Sequence, residues 1–456
     1  MGRRMTAADT LATPGSVRRH TGGLLRLGLP LVGSHLAQLA VHVVDTIMLG
    51  WYHVDALAAV VLAGSFWFTI FIVGSGFGWA VMPVVAAAAA SGGERDIRRV
   101  TRMALWLSLA YGAFMLAPLL MAEPILLAVG QSPDVSRNAA SYLAIAGWGL
   151  FPALIVMVLK NCLAALQRTQ VVLWTTVAAA VLNGVLNYAL IFGHWGAPEL
   201  GIEGAAIASV TVHVASALIL ALYAVRVLPE HELFHRFWRA DWPAFGRIFQ
   251  LGWPIGLTSL AETGLFVGAA LMMGWIGTVP LAAHGIALQI ASATFVVHVG
   301  FSNAATIRVG AAHGMGDRAE LRGVGAVAIG LSFAFALATV ALFLAVPEPL
   351  VRLFLDLGDP QAAEVLALGV TLVALAAIFQ VFDAGQVMAL GCLRGLQDTR
   401  VPMVLAAISY WAIGMPMSYL LGFPLGLGAT GIWVGLVIGL AVAALLLLVR
   451  FWRHSR

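Results

Sequence analysis

The sequence has little charge. Only 10% of its 456 residues are Asp, Glu, Lys or Arg, whereas 61% are hydrophobic. Soluble domains carry about 25% charged residues, and a soluble fold of this length could not bury so much apolar surface. The composition therefore excludes a soluble enzyme. The net charge of +4, with no continuous basic face, also excludes a nucleic-acid binder.

Cysteine and lysine are nearly missing. Two cysteines, Cys162 and Cys392, cannot build a disulfide framework. The single lysine, Lys160, is followed by Asn161, whereas a Walker A loop needs Ser or Thr after its lysine. We therefore expect no direct use of ATP and no cofactor. Because a lysine side chain can extend along a helix until its ammonium group meets water, the ammonium group of Lys160 is expected to reach the cytoplasmic interface.

Long hydrophobic runs make up most of the sequence, and the mean hydropathy is +0.94. A run of about 20 apolar residues crosses a bilayer as a helix. The runs predict an all-α integral membrane protein with twelve transmembrane helices. The predicted spans are 24–50, 57–89, 103–121, 139–166, 170–193, 201–225, 246–274, 280–311, 323–346, 363–394, 400–422 and 428–450.

The arginines predict the orientation. One set of span flanks carries only Arg137 and Arg352, and all the other arginines lie in the tails or on the opposite flanks. Because cytoplasmic loops carry an excess of Lys and Arg, both termini are expected to be cytoplasmic. We expect a multi-pass protein of the bacterial inner membrane that works as a monomer.

The two halves of the chain repeat each other. Leu27, Gly28 and Pro30 recur 224 residues later, where Pro254 matches Pro30. Copies six spans apart face the same way, which predicts two parallel six-helix bundles around a central cavity, the geometry of a carrier. Pro30 and Pro254 are hinge candidates, with duplicated packing kinks as the alternative. The predicted domains are a disordered tail at 1–23, lobes at 24–225 and 246–450, a cytoplasmic linker at 226–245 and a tail at 451–456.

Three acidic residues lie inside predicted spans, namely Asp45, Glu262 and Asp383. A charge there costs about 2.5–3.5 kcal/mol on insertion scales, and such residues normally serve ion or proton pathways. We therefore interpret them as cation- or proton-coupling residues. If the coupling ion is Na⁺, Glu262 and Asp383 are the candidate metal ligands.

Each predicted lobe also has polar residues on shared helix faces. We interpret them as two polar pockets. For the asparagines and His42, simple hydrogen bonding between helices is an open alternative. The N-terminal pocket comprises His35, Gln38, His42, Asn183 and Asn187, and the C-terminal pocket comprises Ser259, Gln380 and Gln386.

Three segments resemble signatures of a known family. They are VDTIM at 44–48, downstream of Pro30, IRVG at 307–310 and LRGLQD at 393–398. With Glu262 and Asp383 in place, the chain resembles the NorM-type bacterial branch of the multidrug and toxic compound extrusion (MATE) transporters, from about residue 24 onward.

The resemblance implies two six-helix lobes and a central cavity. It implies export of small organic, often cationic, compounds in exchange for Na⁺ or H⁺. It also assigns Glu262 and Asp383 to a cation site in the second lobe. Asp45, Asn183 and Asn187 match a polar cluster in the first lobe, to which Thr211 is added.

A flippase, an ion channel and a zinc protease would each have different sequence features. A flippase of a lipid or a lipid-linked precursor is the alternative; it would favour a strongly cationic cavity, and basic residues within spans are scarce. An ion channel would need no seam between two lobes. The pattern His231, Glu232, His235 resembles a zinc-protease motif, but it lies in the predicted linker without an obvious third ligand. A linker at the membrane surface is the favoured interpretation.

Overall fold

The computed structural model describes residues 14–52, 54–355, 358 and 360–455, and all regular structure in those ranges is helical. Twelve helices among these residues are long and apolar enough to cross a membrane. We number them α1 to α12: Pro14–Tyr52, Val54–Ala90, Glu94–Leu120, Pro133–Ala165, Thr169–Phe192, Gly201–Val227, Trp242–Ile276, Thr278–Gly314, Arg318–Ala345, Ala362–Gly395, Arg400–Gly422 and Gly428–His454.

Each helix overlaps one predicted span, which confirms the all-α membrane fold. Local sequence marks several of the ends. Gly193 takes a left-handed conformation after α5, as glycine does without steric cost. Asp317 caps α9 by accepting a hydrogen bond from the backbone N–H of Glu320 at 2.9 Å. Two short helices, Ala122–Ala128 and Pro347–Arg352, precede α4 and α10.

The first helix begins earlier than predicted. Residues 1–13 of the predicted tail lie outside the described residues, but the expectation of disorder is wrong for 14–23, which are helical. This polar stretch is held by ion pairs that hydropathy does not reveal. Arg19 contacts Glu320 at 2.5 Å, and the backbone carbonyl of His20 accepts a hydrogen bond from Arg308 at 3.3 Å. The last helix likewise continues to His454, inside the predicted tail at 451–456.

The chain forms two compact units whose borders lie inside helices. The N-terminal unit is Gly33–Gly256, and the C-terminal unit joins the described residues up to Val32 to those from Leu257 onward. The predicted lobes instead assign the whole of α1 to one lobe. Pro30 and Pro254 each lie two residues before such a border. The borders therefore fall at matching positions of the repeat.

Close backbone packing holds the start of α7 in the N-terminal unit. A Cβ atom on Gly76 of α2 would lie 2.4 Å from the carbonyl oxygen of Gly252 and 2.6 Å from the amide nitrogen of Gly256. A side chain at Gly76 would force the two helices apart. This agrees with the close-packing role of small residues between membrane helices.

The connection between α6 and α7, residues 228–241, is tied to α3. After a 3-10 turn at Pro229–His231, Glu232 forms an ion pair with Arg98. The carbonyl of Phe237 accepts a hydrogen bond from the Trp106 indole N–H at 3.0 Å. The connection is thus shorter than the predicted linker and is fixed to the N-terminal unit.

Asp241 is the last residue of this connection. Its interaction with Arg99 predicts that the stability of the folded protein depends on pH. Hydrogen bonds from the Arg99 guanidinium lower the pKa of Asp241 below its usual value, which is about 3.9. The resulting stability is fully present above that value and is lost as pH falls through the lower folded pKa. We expect Asp241→Asn to lower the unfolding midpoint at pH 7 and to have a shrinking effect toward pH 3, measured by thermal unfolding in detergent at each pH.

Asp134→Asn is the matched control, because Asp134 is exposed and lies 3.7 Å from its partner Arg137. Exposed pairs contribute little to stability, so this variant should unfold like the parent at every pH. An Asp241→Asn effect that stays constant from pH 7 to pH 3 would contradict the assignment.

Candidate functional site

Two acidic side chains meet in the C-terminal unit. Glu262 of α7 accepts a hydrogen bond from the Gln386 side-chain amide of α10 at 2.8 Å. Asp383 lies one turn before Gln386, is 1% exposed, and its Oδ2 has no hydrogen-bond partner among the described residues. The two carboxyl groups are close enough to interact electrostatically. Like charges in one buried site cannot both persist without a cation or a proton.

Two residues outside the predicted set also belong to this site. Arg394 and Tyr410 both lie within electrostatic range of Glu262. Tyr410 is fully buried, and its hydroxyl lies beside the side chain of Gln386, the residue that donates to Glu262. Tyr410 lies in a π-helical segment of α11, Ile408–Gly414, a distortion common at functional sites. Arg394 could have been found as part of the LRGLQD motif at 393–398, whereas the sequence gives no comparable signal for Tyr410.

The other predicted members of this pocket lie apart from the carboxyl groups. The Gln380 amide donates to the carbonyl of Ala291 at 3.2 Å, which ties α10 to α8. Ser259 is half-buried on α7, one turn before Glu262 and outside the hydrogen-bonded pair. Among the described residues, no hydrogen bond joins Gln380 or Ser259 to Asp383.

Asp45 and the two asparagines meet in the N-terminal unit. Asp45 Oδ1 accepts a hydrogen bond from the Asn187 amide at 2.5 Å, and the same amide lies 3.3 Å from Asn183 Oδ1. Both asparagines are buried, whereas Asp45 is half-buried. The asparagines can therefore hold the carboxyl group in place while part of it stays exposed.

The polar stripe on α1 lies in the same unit. His35 and Gln38 are half-buried, and His42 is exposed. The structure adds His213 of α6, which interacts electrostatically with His42. Its ring stacks on Trp67 with centroids 6.0 Å apart. His213 could not be identified from the sequence, because nothing in its own helix shows which helices lie beside it.

Thr211, which the resemblance adds to the cluster, lies on α6. Its side chain is exposed, and its hydroxyl donates to the Ile207 carbonyl of its own helix at 2.7 Å. A hydroxyl that bonds one turn back satisfies itself within the helix. The hydrogen bond found for Thr211 is therefore to its own helix and not to Asp45.

The zinc-protease pattern does not form a metal site. Helical geometry stops at His231, because Glu232 has a positive φ of 43°. His231 and His235 therefore do not share one helical face, as the motif requires. The Glu232 carboxylate is paired with Arg98. Among the described residues no group of three or more His, Cys, Asp or Glu could hold a metal ion.

Comparisons with known proteins agree with this fold. The family model MatE matches residues 30–189 and 254–420. A "Probable multidrug resistance protein NorM" of Rhizobium meliloti is 48% identical, over 96% of this chain and 94% of that protein. One of the same name from Synechocystis is 38% identical, over 94% and 93%.

Solved structures share the fold at lower identity. The crystal structure of the eukaryotic MATE transporter AtDTX14 has a TM-score of 0.85 at 19% identity, covering 97% of this chain and 98% of that one. An outward-facing MATE family multidrug resistance transporter has a TM-score of 0.86 at 21% identity, covering 95% of each chain. The family model covers more than half of the chain, and the relatives are similar over nearly all of it; the chain therefore belongs to the MatE family.

Proposed function

We propose that this chain is a secondary antiporter that exports small organic, often cationic, compounds in exchange for H⁺ or Na⁺. The observation that carries the proposal is the Asp383 carboxyl group, enclosed beside Glu262 with one oxygen unpartnered. Such a group is stable only when it is protonated or bound to a cation. The names of its relatives as multidrug resistance proteins support an exported drug or toxic metabolite as the substrate.

Coupling arises because ion and drug favour different states of the protein. A ligand shifts a conformational equilibrium only through its differential affinity for the states. A cation that enters from outside binds at Glu262 and Asp383 or at Asp45, and the substrate then leaves outward. One charge crossing about 100 mV supplies roughly 2.3 kcal/mol. A one-for-one exchange against a monovalent cation gains none of that electrical energy and runs on the chemical gradient alone.

The proposed motion is a rocking of two lobes with hinges near Pro30 and Pro254. Both prolines lie inside long helices, two residues before the border between the compact units. Proline removes a backbone hydrogen bond and weakens the helix at that point. We propose that the protein acts as a monomer in the bacterial inner membrane with both termini in the cytoplasm, as the arginine distribution indicates.

Inverted membrane vesicles test the proposal directly. We expect a fluorescent cationic rhodamine ester to accumulate in vesicles that contain the protein only when a pH or a sodium gradient is imposed. The gradient that drives uptake identifies the coupling ion, because each gradient is applied alone. Uptake that equals that of vesicles without the protein under both gradients would refute the antiporter.

A further inference from the structure

The opening turns of α1 carry a histidine that is enclosed among charged side chains of the C-terminal unit. His20 is only 4% exposed, although it lies in the polar stretch at 14–23. Its ring packs on the backbone of α9, where a Cβ atom on Gly323 would lie 3.0 Å from the Nε2 atom of the ring. Histidine gains a charge between about pH 8 and pH 5, so the surroundings of this ring are sensitive to pH.

The Nδ1 atom of His20 lies between two partners of opposite charge. It is 3.4 Å from the Nη2 atom of Arg308 on α8 and 3.5 Å from the Oε1 atom of Glu320 on α9. A guanidinium group can only donate, so Nδ1 accepts from Arg308 only when the ring is neutral and its single proton is on Nε2. A protonated Nδ1 can only donate, and Glu320 is then its partner. One proton therefore decides which of the two bonds forms.

The charged groups around the ring already include two cations for one carboxylate. Those that face it are Arg19 of its own helix, Arg308 and Glu320. Glu320 is shared, because its Oε2 accepts a hydrogen bond from Arg19 at 2.5 Å and its Oε1 accepts one from Arg308 at 3.2 Å. A protonated ring would add a third cation beside this carboxylate and would break the bond from Arg308. Protonation therefore weakens the packing of the ring.

The same contacts hold the opening turns of α1 on α8 and α9. Arg308 also donates to the backbone carbonyl of His20 at 3.3 Å. Gly23 leaves room for the guanidinium group, since a Cβ atom there would lie 1.6 Å from Nη1 of Arg308. The described residues up to Val32 are the part of α1 that belongs to the C-terminal unit. Weakening this cluster therefore loosens the start of α1 from the unit that contains Glu262.

We propose that His20 is a pH-sensitive switch whose protonation releases the opening turns of α1 from α8 and α9. It senses the side of the membrane on which the N-terminus lies, which the proposed topology makes the cytoplasm. A histidine in the released turns has a pKa of about 6.5. With a neutral ring in the attached turns, the ratio of attached to released turns falls about tenfold between pH 8 and pH 5.5.

Hydrogen–deuterium exchange tests the switch without any variant. The full chain in phosphatidylcholine nanodiscs is labelled at pH 8 and at pH 5.5, and peptides from 14–32 are followed by mass spectrometry with correction for the intrinsic effect of pH. The protection of these amides should fall about tenfold at pH 5.5, because they exchange when the turns are released. The buried segment 384–393 of α10 is the internal control and should keep its protection. Equal protection of 14–32 at both pH values would overturn the proposal, as would a parallel loss in 384–393.

His20→Gln isolates the imidazole. A glutamine oxygen can accept the bond from Arg308 but binds no proton in this pH range, so the protection of 14–32 should be the same at pH 8 and at pH 5.5. His454→Gln is the matched control, because His454 lies 3.6 Å from Asp398 at the end of α12 and its side chain is 44% exposed. This variant should keep the tenfold fall. A fall in His20→Gln as large as that in the parent would refute the role of His20.

Glu320→Gln checks that the charged cluster is what attaches the turns. The variant removes the carboxylate that accepts from both Arg19 and Arg308, so the opening turns should already have lost protection at pH 8. Protection equal to that of the parent at pH 8 would show that the cluster does not hold these turns and would contradict the switch.

Discussion

Glu262→Gln and Asp383→Asn are each expected to reduce gradient-driven export to the level of vesicles that lack the protein. Each variant keeps the shape of the side chain but removes the carboxylate to which a proton or a cation must bind during transport. Gln386 already donates to Glu262 at 2.8 Å, and a glutamine at position 262 could still accept that bond. The loss should therefore be one of coupling and not of folding.

The stability of the two variants checks this distinction. Asp383 has an oxygen without a partner in the described structure, so replacing it removes the cost of burying a group that can ionise. We expect the thermal midpoint of Asp383→Asn to equal or exceed that of the parent. Glu364→Gln is the matched control, because Glu364 is exposed at the start of the same helix. Full export by both variants would refute the assignment of Glu262 and Asp383 as coupling residues.

Asp45→Asn is expected to weaken binding of the cationic rhodamine ester by about 10- to 100-fold, since a hydrogen bond to a charged group contributes about 1.5–3 kcal/mol. The Asn187 amide holds Asp45 at 2.5 Å and fixes the direction of its carboxyl group. Removing the charge leaves this geometry nearly intact and removes the attraction for the cation. Binding is measured with the purified protein at a pH where the carboxyl group is ionised.

Thr46→Val serves as the control for that measurement. Thr46 follows Asp45 directly, is exposed, and its hydroxyl donates to the His42 carbonyl of its own helix at 2.8 Å. Valine has nearly the same shape, so this variant should bind the ester like the parent. If Asp45→Asn bound the ester as tightly as Thr46→Val does, the cation would not be recognised at Asp45.

The sequence predicted the helices well because span length and hydropathy depend only on local composition. The sequence was also enough to choose Asp45 and Asp383 as candidate site residues, because a charged residue inside an apolar run can be recognised without a structure. It could not predict that the His213 ring stacks on Trp67, because this depends on which helices become neighbours. The same limit hid Tyr410, whose polar atom becomes notable only once its helix packs beside Glu262.

The expectation of a disordered tail failed for a related reason. Arg19 and His20 look like solvated residues in the sequence, but both contact Glu320, which lies 301 and 300 positions further along the chain. Ion pairs between distant segments leave no periodic signal. Hydropathy therefore underestimates helices whose ends are polar and fixed by such pairs.

The matching borders at Val32 and Gly256 have a consequence for dividing the chain. Each compact unit takes the opening turns of one long helix from the other half of the duplicated sequence. A chain cut in the connection between the two halves would therefore leave each fragment without turns that its compact unit contains, so neither half of the sequence is a complete unit by itself.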